Sequence, residues 1–587
     1  MNKKKIGLVV CLFIFSSVNV ISVEVDTKEN PLNIFDESIW IYANSNRDIL
    51  KLNNGFLHGR DENSPDINET LIDALNPEEW RLYKINSYIL AERHNANITY
   101  GLSNYYAWSQ GGFPEANPWE NWTYYEEYIL YNMQVFDYYF PDYPVDYYDI
   151  WSEPDHSYYW HGTYVQLLEL FYRAYNVIKS YNPDAKVVGP SISWFRPGYP
   201  EVKGIIDFLI DLDTIYGIRL DAISWHENGG YTADTKPEDI PYRAQYLRSQ
   251  IEDNFPPDYK PELHINEYLS GILHLSPGWN VGFLRYLDEA NIDKAMRACW
   301  YTYSLDPYVY CSDCWYGLNG MFMSDGQTPQ RAYWIQYTHS QMEGHINLDV
   351  IESNENTNAI AIRNDSSNQI KILVGRYYKN SPNDVSIHIT NFPNYQENVY
   401  VKIEIVPNDP TFYDKPPQMI PMPDGPILIS NDLIKVENNV IIILLENFED
   451  GDAYIITIIP ANNSPNPPIV DGPPSGKPDQ TLTFVFNAVD PDGDDVRFLI
   501  DWDDSNNDTT TYVQSGDDKT ASHAWSEKGT YYCTVKAEDE YGAKGGETLF
   551  KIVVGKSKAI NRSILNFLQK YPNLFPLLQL FLQHLGL

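Results

Sequence analysis

Positive charge is in short supply in this chain. Its 587 residues carry 42 basic and 80 acidic side chains, a formal net charge of -38. Such a field repels nucleic acid and anionic lipid, so no nucleic-acid partner is expected. Cysteine is scarce too. Of five, Cys11 lies in the N-terminal apolar run, leaving Cys299, Cys311, Cys314 and Cys533. That suffices for one bridge in an exported protein but supplies too few ligands for zinc. No glycine-rich phosphate turn is present, which argues against a dinucleotide-binding fold. The N-terminal apolar run, Ile6 to Phe15 behind three lysines, is too short and too early for a stable membrane span. It reads as a signal peptide over residues 1–22, so a secreted or extracellular protein is expected, with cell-surface association left open. No cysteine stands at the cleavage region to carry a lipid anchor.

Aromatic residues are plentiful, with 47 Tyr and 15 Trp. Such rings fill cores, and sugar faces also stack on them. Residues 23–341 alternate short apolar strands with amphipathic helical stretches, the pattern of a (β/α)8 barrel. Strands are expected at 54–58, 98–104, 148–151, 185–190, 220–226 and 262–268. The stretch 72–90 reads as helix-like, 292–300 as helix, and the last strand as 300–305 or 310–316. From 342 to 460 the texture becomes β, an appended sandwich. A Pro/Asn-rich linker at 461–474 leads into a small immunoglobulin-like β unit spanning about 467–555. Its acidic turn Asp490-Pro491-Asp492-Gly493-Asp494 offers calcium-type oxygen ligands at Asp490, Asp492 and Asp494, the alternative being a solvated acidic turn. The tail, 556–587, is amphipathic and broken by Pro572 and Pro576. A membrane surface, a sorting partner and the protein itself are all open as its contact.

The chemistry concentrates at two strand tips. Tyr148-Asp149-Ile150-Trp151 runs into Ser152-Glu153-Pro154-Asp155, and Pro154 stops the strand and favours an extended Glu153. Glu262 to Tyr268 is a second strand with an acid, Glu267, near its end. Counted as strands four and seven of a barrel, both acids reach the face where barrel sites form. Glycoside hydrolysis needs such a pair, one acid protonated and the other ionised. Around them, His58, Trp225, His226, Tyr268, Trp315 and Asn104 are candidate sugar contacts. For His226, a bond to the nucleophile region, a bond to a sugar hydroxyl and a packing role all fit. Glu227 is a third acid close by, Asp155 and His156 are placed to orient the Glu153 loop, and Asp149 reads as barrel support.

Trp151-Ser152-Glu153-Pro154-Asp155, Val188-Gly189-Pro190, Asp221-Ala222-Ile223-Ser224-Trp225-His226 and Asn266-Glu267-Tyr268 together resemble glycoside hydrolase family 39, the β-xylosidase and α-L-iduronidase family. The resemblance covers about 45–340. It implies a retaining mechanism on oligo- or polysaccharides, with Glu153 as acid/base, Glu267 as nucleophile and no cofactor. The family usually has Asn before the acid/base, bonding the sugar 2-hydroxyl, and this chain has Ser152. A non-catalytic carbohydrate-binding or cell-surface protein on the same scaffold is the competing expectation. The 467–555 unit resembles a PKD-type module.

Overall fold

The computed structural model describes residues 18–21, 37–51, 54–59, 66–103, 117–157, 159–193, 195, 204–228, 236–269, 275–298, 318–323, 325–354, 356–377, 383–392, 398–408, 420–436, 439–460, 463–491, 493–555 and 570. Asn104, Trp315, Asp492, Cys299, Cys311 and Cys314 lie outside them, as does the tail apart from Lys570.

Eight parallel strands close into a barrel. They are β1 (Gly55–Leu57), β2 (Glu79–Leu82), β3 (Asn97–Gly101), β4 (Tyr147–Asp149), β5 (Lys186–Ile192), β6 (Ala222–Glu227), β7 (Glu262–Tyr268) and β8 (Lys294–Arg297). The ring is sealed by β8 pairing with β1. Around it run α1 (Glu69–Asp73), α2 (Ile85–Arg93), α3 (Trp122–Tyr139), α4 (Tyr164–Tyr181), α5 (Ile205–Asp211), α6 (Asp239–Asn254), α7 (Pro277–Glu289) and α8 (Arg331–Ser340). The α4 helix illustrates why these segments are helical. A capping box of Thr163 and Gln166 starts it, and Leu167, Leu168, Phe171, Ala174 and Ile178 recur at helical spacing on its buried face.

Two strands differ from the expectation. The stretch 72–90 is not one helical segment: Pro77 separates α1 from β2, where Glu79 and Arg81 alternate with the outward-packed Trp80 and Leu82. The eighth strand is Lys294–Arg297, inside the span expected to be helical. Asn291, with φ 48°, ends α7 in the left-handed conformation and lets the chain turn into β8.

The sandwich takes strands from both sides of the barrel in sequence, not from 342–460 alone. One sheet runs Val18–Ile21, Val440–Phe448, Asn383–Thr390, Glu37–Tyr42, Asp349–Glu352. The other runs Ile427–Lys435, Asn398–Val406, Ala453–Pro460, Ile370–Arg376, Thr357–Arg363, Ile346–Asn347, Asp48–Ile49. Val18–Ile21, expected to leave with the signal peptide, is one edge strand of the first sheet, paired with Val440–Phe448. Barrel and sandwich form one compact unit ending at Ile459. At their joint, α7 approaches the Ile370–Arg376 strand so closely that a Cβ on Gly278 would stand 2.0 Å from the Arg376 carbonyl oxygen.

The second unit begins at Pro460. A three-stranded sheet (Ile469–Asp471, Leu482–Asn487, Lys519–His523) and a five-stranded sheet enclose Phe484, Trp502, Trp525 and the free Cys533. The expected linker therefore ends sooner, since Ile469–Asp471 is already paired. Among the described residues, no helix is long and apolar enough to cross a membrane.

Candidate active site

The floor of the site is a polar layer inside the barrel. Asp149, at the end of β4, is buried and paired with the fully buried Arg81 of β2 at 2.7 Å. Ser191 Oγ donates to Asp149 Oδ1 at 2.7 Å, and Asn266 Nδ2 donates to Asp149 Oδ2 at 3.1 Å and to Ser191 Oγ at 2.8 Å. Buried charge requires this degree of satisfaction. Two irregularities build the layer. In β7 the register slips so that Ile265 and Glu267 face consecutive residues of β6, with Asn266 bulged between them. A bulge re-aims the side chain that follows, so Asn266 and Glu267 both serve the lumen. A second slip at Ser191 does the same for β5.

Glu153 stands four residues beyond the end of β4. Its φ is +53°, left-handed and not the extended conformation expected before Pro154. Its amide donates to the Ser191 carbonyl oxygen at 2.8 Å, which helps hold this unfavourable backbone and turns the carboxylate toward the barrel axis. Asp155 ties the same loop to β5 by accepting from the Ser193 amide at 2.8 Å and hydroxyl at 3.0 Å.

Above the floor the two acids converge on shared donors. Arg81 Nη1 donates to Glu267 Oε1 at 2.6 Å, and Nη2 donates to Ser152 Oγ at 2.9 Å. His226 Nδ1 lies 3.1 Å from Glu153 Oε1 and 3.5 Å from Glu267 Oε2. Asn228 Nδ2 donates to Glu267 Oε2 at 3.3 Å. Facing oxygens of Glu153 and Glu267 approach within 4.8 Å. Both carboxylates are 16 % exposed while Arg81 and His226 are fully buried, so the acids, not the cations, meet a ligand first.

These neighbours set the protonation states. Burial alone would raise Glu267, but the charges of His226 and Arg81 and the Asn228 amide hold it below the usual carboxylate range. Burial would lower His226, and the Glu267 charge together with Glu153 leaves it raised. His58, at the end of β1 with its ring 5.3 Å from Tyr83, is pushed down to about 4, chiefly by burial, and is neutral at pH 7.

Other candidates sit elsewhere. Trp225 points away from the lumen, fully buried against Phe195, and donates to Glu227 Oε1 at 2.6 Å. Glu227 also pairs with Arg243, and burial raises it to about 7. Tyr268 is fully buried beside Phe283 and accepts from Gln336. Neither ring offers surface to a ligand. Arg81 and Asn228 were not singled out in the sequence, although a lone arginine between Trp80 and Leu82 is a signal of a buried charge.

Glu153, His226 and Glu267 could together ligate a metal ion. The Arg81 guanidinium, 2.6 Å from Glu267, competes for the same carboxylate, so the donor set fits a metal poorly. In the C-terminal unit, Asp490, Asp494 and Asp539 bring carboxylate oxygens within 4.8 Å of one another, an arrangement fit for a hard cation. Asp539, from a distant strand, joins two of the three acids expected there.

Residues 469–551 match the PKD domain family model. The solved PKD domain of an M14-like peptidase from Thermoplasmatales archaeon SCGC AB-540-F20 is 32 % identical, covering 16 % of this chain and all of that one, with a TM-score of 0.16. N2152 from Neocallimastix frontalis is 17 % identical over 72 % of this chain and all of that one, with a TM-score of 0.56, and so shares the fold. A family 51 α-L-arabinofuranosidase from Thermotoga petrophila RKU-1 is 12 % identical over 72 % of this chain and 99 % of that one, with a TM-score of 0.48. No curated protein matches.

Proposed function

We propose that this chain is a secreted retaining glycoside hydrolase acting on O-glycosidic bonds of oligo- or polysaccharides, with Glu267 as nucleophile and Glu153 as acid/base. The observation that carries this reading is the approach of the two carboxylates, within 4.8 Å, at the tips of β4 and β7. Retention uses carboxyl groups about 5–5.5 Å apart and inversion a gap of about 6.5–9.5 Å for water, and two acids that share the one His226 nitrogen at 3.1 and 3.5 Å favour the closer arrangement. Glu267, held ionised by Arg81 and His226, attacks the anomeric carbon. Glu153 protonates the departing oxygen and then deprotonates the water that releases the sugar. His58 and Asn228 line the same pocket, and the chemistry needs no cofactor. The family 39 resemblance, with xyloside-like sugars, is the finer form of this reading.

One observation favours a second reading, a carbohydrate-binding protein on the same scaffold: Ser152 Oγ is taken up by Arg81 and is short for a substrate contact. A panel of 4-nitrophenyl pentosides and hexosides with soluble polysaccharides separates the two. Hydrolysis with retained anomeric configuration, lost in Glu267→Gln, supports the enzyme. Binding without turnover by the native chain refutes it.

A further inference from the structure

We infer that the outer face of α3, with the adjoining C-terminal end of α4, is a second carbohydrate-binding surface, for an uncharged polysaccharide chain, separate from the pocket. Among the described residues of the barrel and sandwich unit, six tyrosines are exposed, and five of them lie on these two helices. They are Tyr131, Tyr138 and Tyr139 on α3, at 63 %, 78 % and 61 % exposure, and Tyr172 and Tyr181 on α4, each at 37 %. Packing does not require them. The inner face of α3 is already supplied by Tyr125, Tyr128, Ile129, Met133 and Phe136. Exposed aromatic concentrations of this kind mark binding sites more than chance.

The rings are arrayed and held. A seven-residue interval places Tyr131 and Tyr138 on one side of α3, about 10.5 Å apart along the axis at ~1.5 Å rise per residue. The Tyr138 and Tyr139 rings meet edge to face at 5.0 Å. Tyr181 donates its hydroxyl to Asp137 Oδ2 at 2.6 Å, fixing the end of α4 beside the last turn of α3. Tyr172, nine residues before Tyr181 and so on the opposite flank of α4, stacks on Tyr216 at 4.6 Å and stands apart from this array.

Charge and chemistry choose the occupant. Tyrosine joins an apolar face to a hydroxyl rim, which suits the C–H faces and hydroxyls of sugars. The exposed positions beside and between the α3 tyrosines are polar, Glu127, Gln134 and Asp137, with the half-buried Val135 the aliphatic residue of the stripe, where an oily protein partner would be met by several. Asp137 and the chain's net charge of -38 repel an anionic polymer or membrane. The α3 helix leads down to the start of β4, and α4 leads down to the start of β5. Tyr131, Tyr138, Tyr139 and Tyr181 lie in the C-terminal halves of their helices, so they sit toward the barrel end opposite Glu153 and Glu267. A polymer bound there leaves the pocket open.

Native electrophoresis through arabinoxylan, xyloglucan or galactomannan, with polygalacturonate as the anionic control, tests the surface on the full chain carrying Glu267→Gln. Retardation by a neutral polymer is expected, with none by polygalacturonate. Tyr131→Ala with Tyr138→Ala should weaken binding about tenfold, equivalent to ~1.4 kcal/mol. In the otherwise native chain the same pair should leave melting temperature and aryl-glycoside turnover unchanged. Three results overturn the inference: no retardation by any neutral polymer, retardation unaffected by the double substitution, or light scattering showing that the tyrosines hold a dimer. A chain that hydrolyses nothing yet shows tyrosine-dependent retardation refutes the catalytic proposal and supports this one.

Discussion

Arg81 grips Asp149 at 2.7 Å and Glu267 at 2.6 Å with one fully buried guanidinium. The first carboxylate belongs to the floor and the second to the reacting layer, so Arg81 fixes the height and charge of Glu267 together. A lysine is a point charge and cannot reproduce this fork. Arg81→Met leaves Asp149 buried without its cation, and breaking such a pair costs about 3–5 kcal/mol. Arg81→Lys should fold better yet lose kcat far more than it raises KM. Thermal denaturation and steady-state kinetics on the two variants check this, and equal kcat in Arg81→Lys and the native chain would refute the positioning role.

Glu153 and Glu267 should fail differently. With Glu153→Ala, a substrate whose leaving group needs no protonation still glycosylates Glu267, while one with a poor leaving group slows about 10²–10⁴-fold. Azide should restore turnover of the first substrate and give a glycosyl azide of retained configuration. With Glu267→Ala, azide should give the inverted product instead. Product stereochemistry by NMR distinguishes them, and identical products would contradict the assigned roles.

Much of this site was legible because strand tips and prolines leave marks in sequence. The acid before Pro154 and the acid near the end of β7 stand out without a structure. Arg81 did not, because α1, β2 and α2 are so short that their stretch blends into one helix-like pattern. The β7 bulge is invisible to a period-two reading, which would turn Glu267 out of the lumen if Asn266 faces in. The alternation of β6 was available, and it separates the inward His226 from the outward Trp225. The left-handed Glu153 ran against the local preference, and tertiary bonding to Ser191 decided it.

The pocket should be most stable in mildly acid solution. Glu267 is held below its ordinary 4.5, so its contribution is present above that value and is lost as pH falls through the folded-state value. His226 is raised above its ordinary 6.5, so its contribution is complete below 6.5 and is lost as pH rises through the folded-state value. The window in which both hold is about 4.5–6.5. His226→Gln should flatten the alkaline decline of melting temperature and also make the acid decline shallower, because the His226 charge is the largest influence holding Glu267 low. An alkaline decline as steep as in the native chain would remove His226 as its source.

The acidic cluster of the C-terminal unit predicts a response to calcium that does not involve the barrel. Asp490 and Asp539 are buried, and with Asp494 they place three carboxylates within 4.8 Å. Three negative charges so close repel one another unless a cation or protons intervene. Bound calcium stabilises the folded unit by mass action, about 2.7 kcal/mol at 100 times its dissociation constant. Calorimetry of the full chain should therefore show the melting transition of this unit rise with calcium and fall with a chelator. The transition of the barrel and sandwich should stay in place. Asp494→Asn should blunt the calcium response, because Asp494 is the least buried of the three and its replacement disturbs the core least. A transition indifferent to calcium in the native chain would leave the cluster a solvated acidic turn.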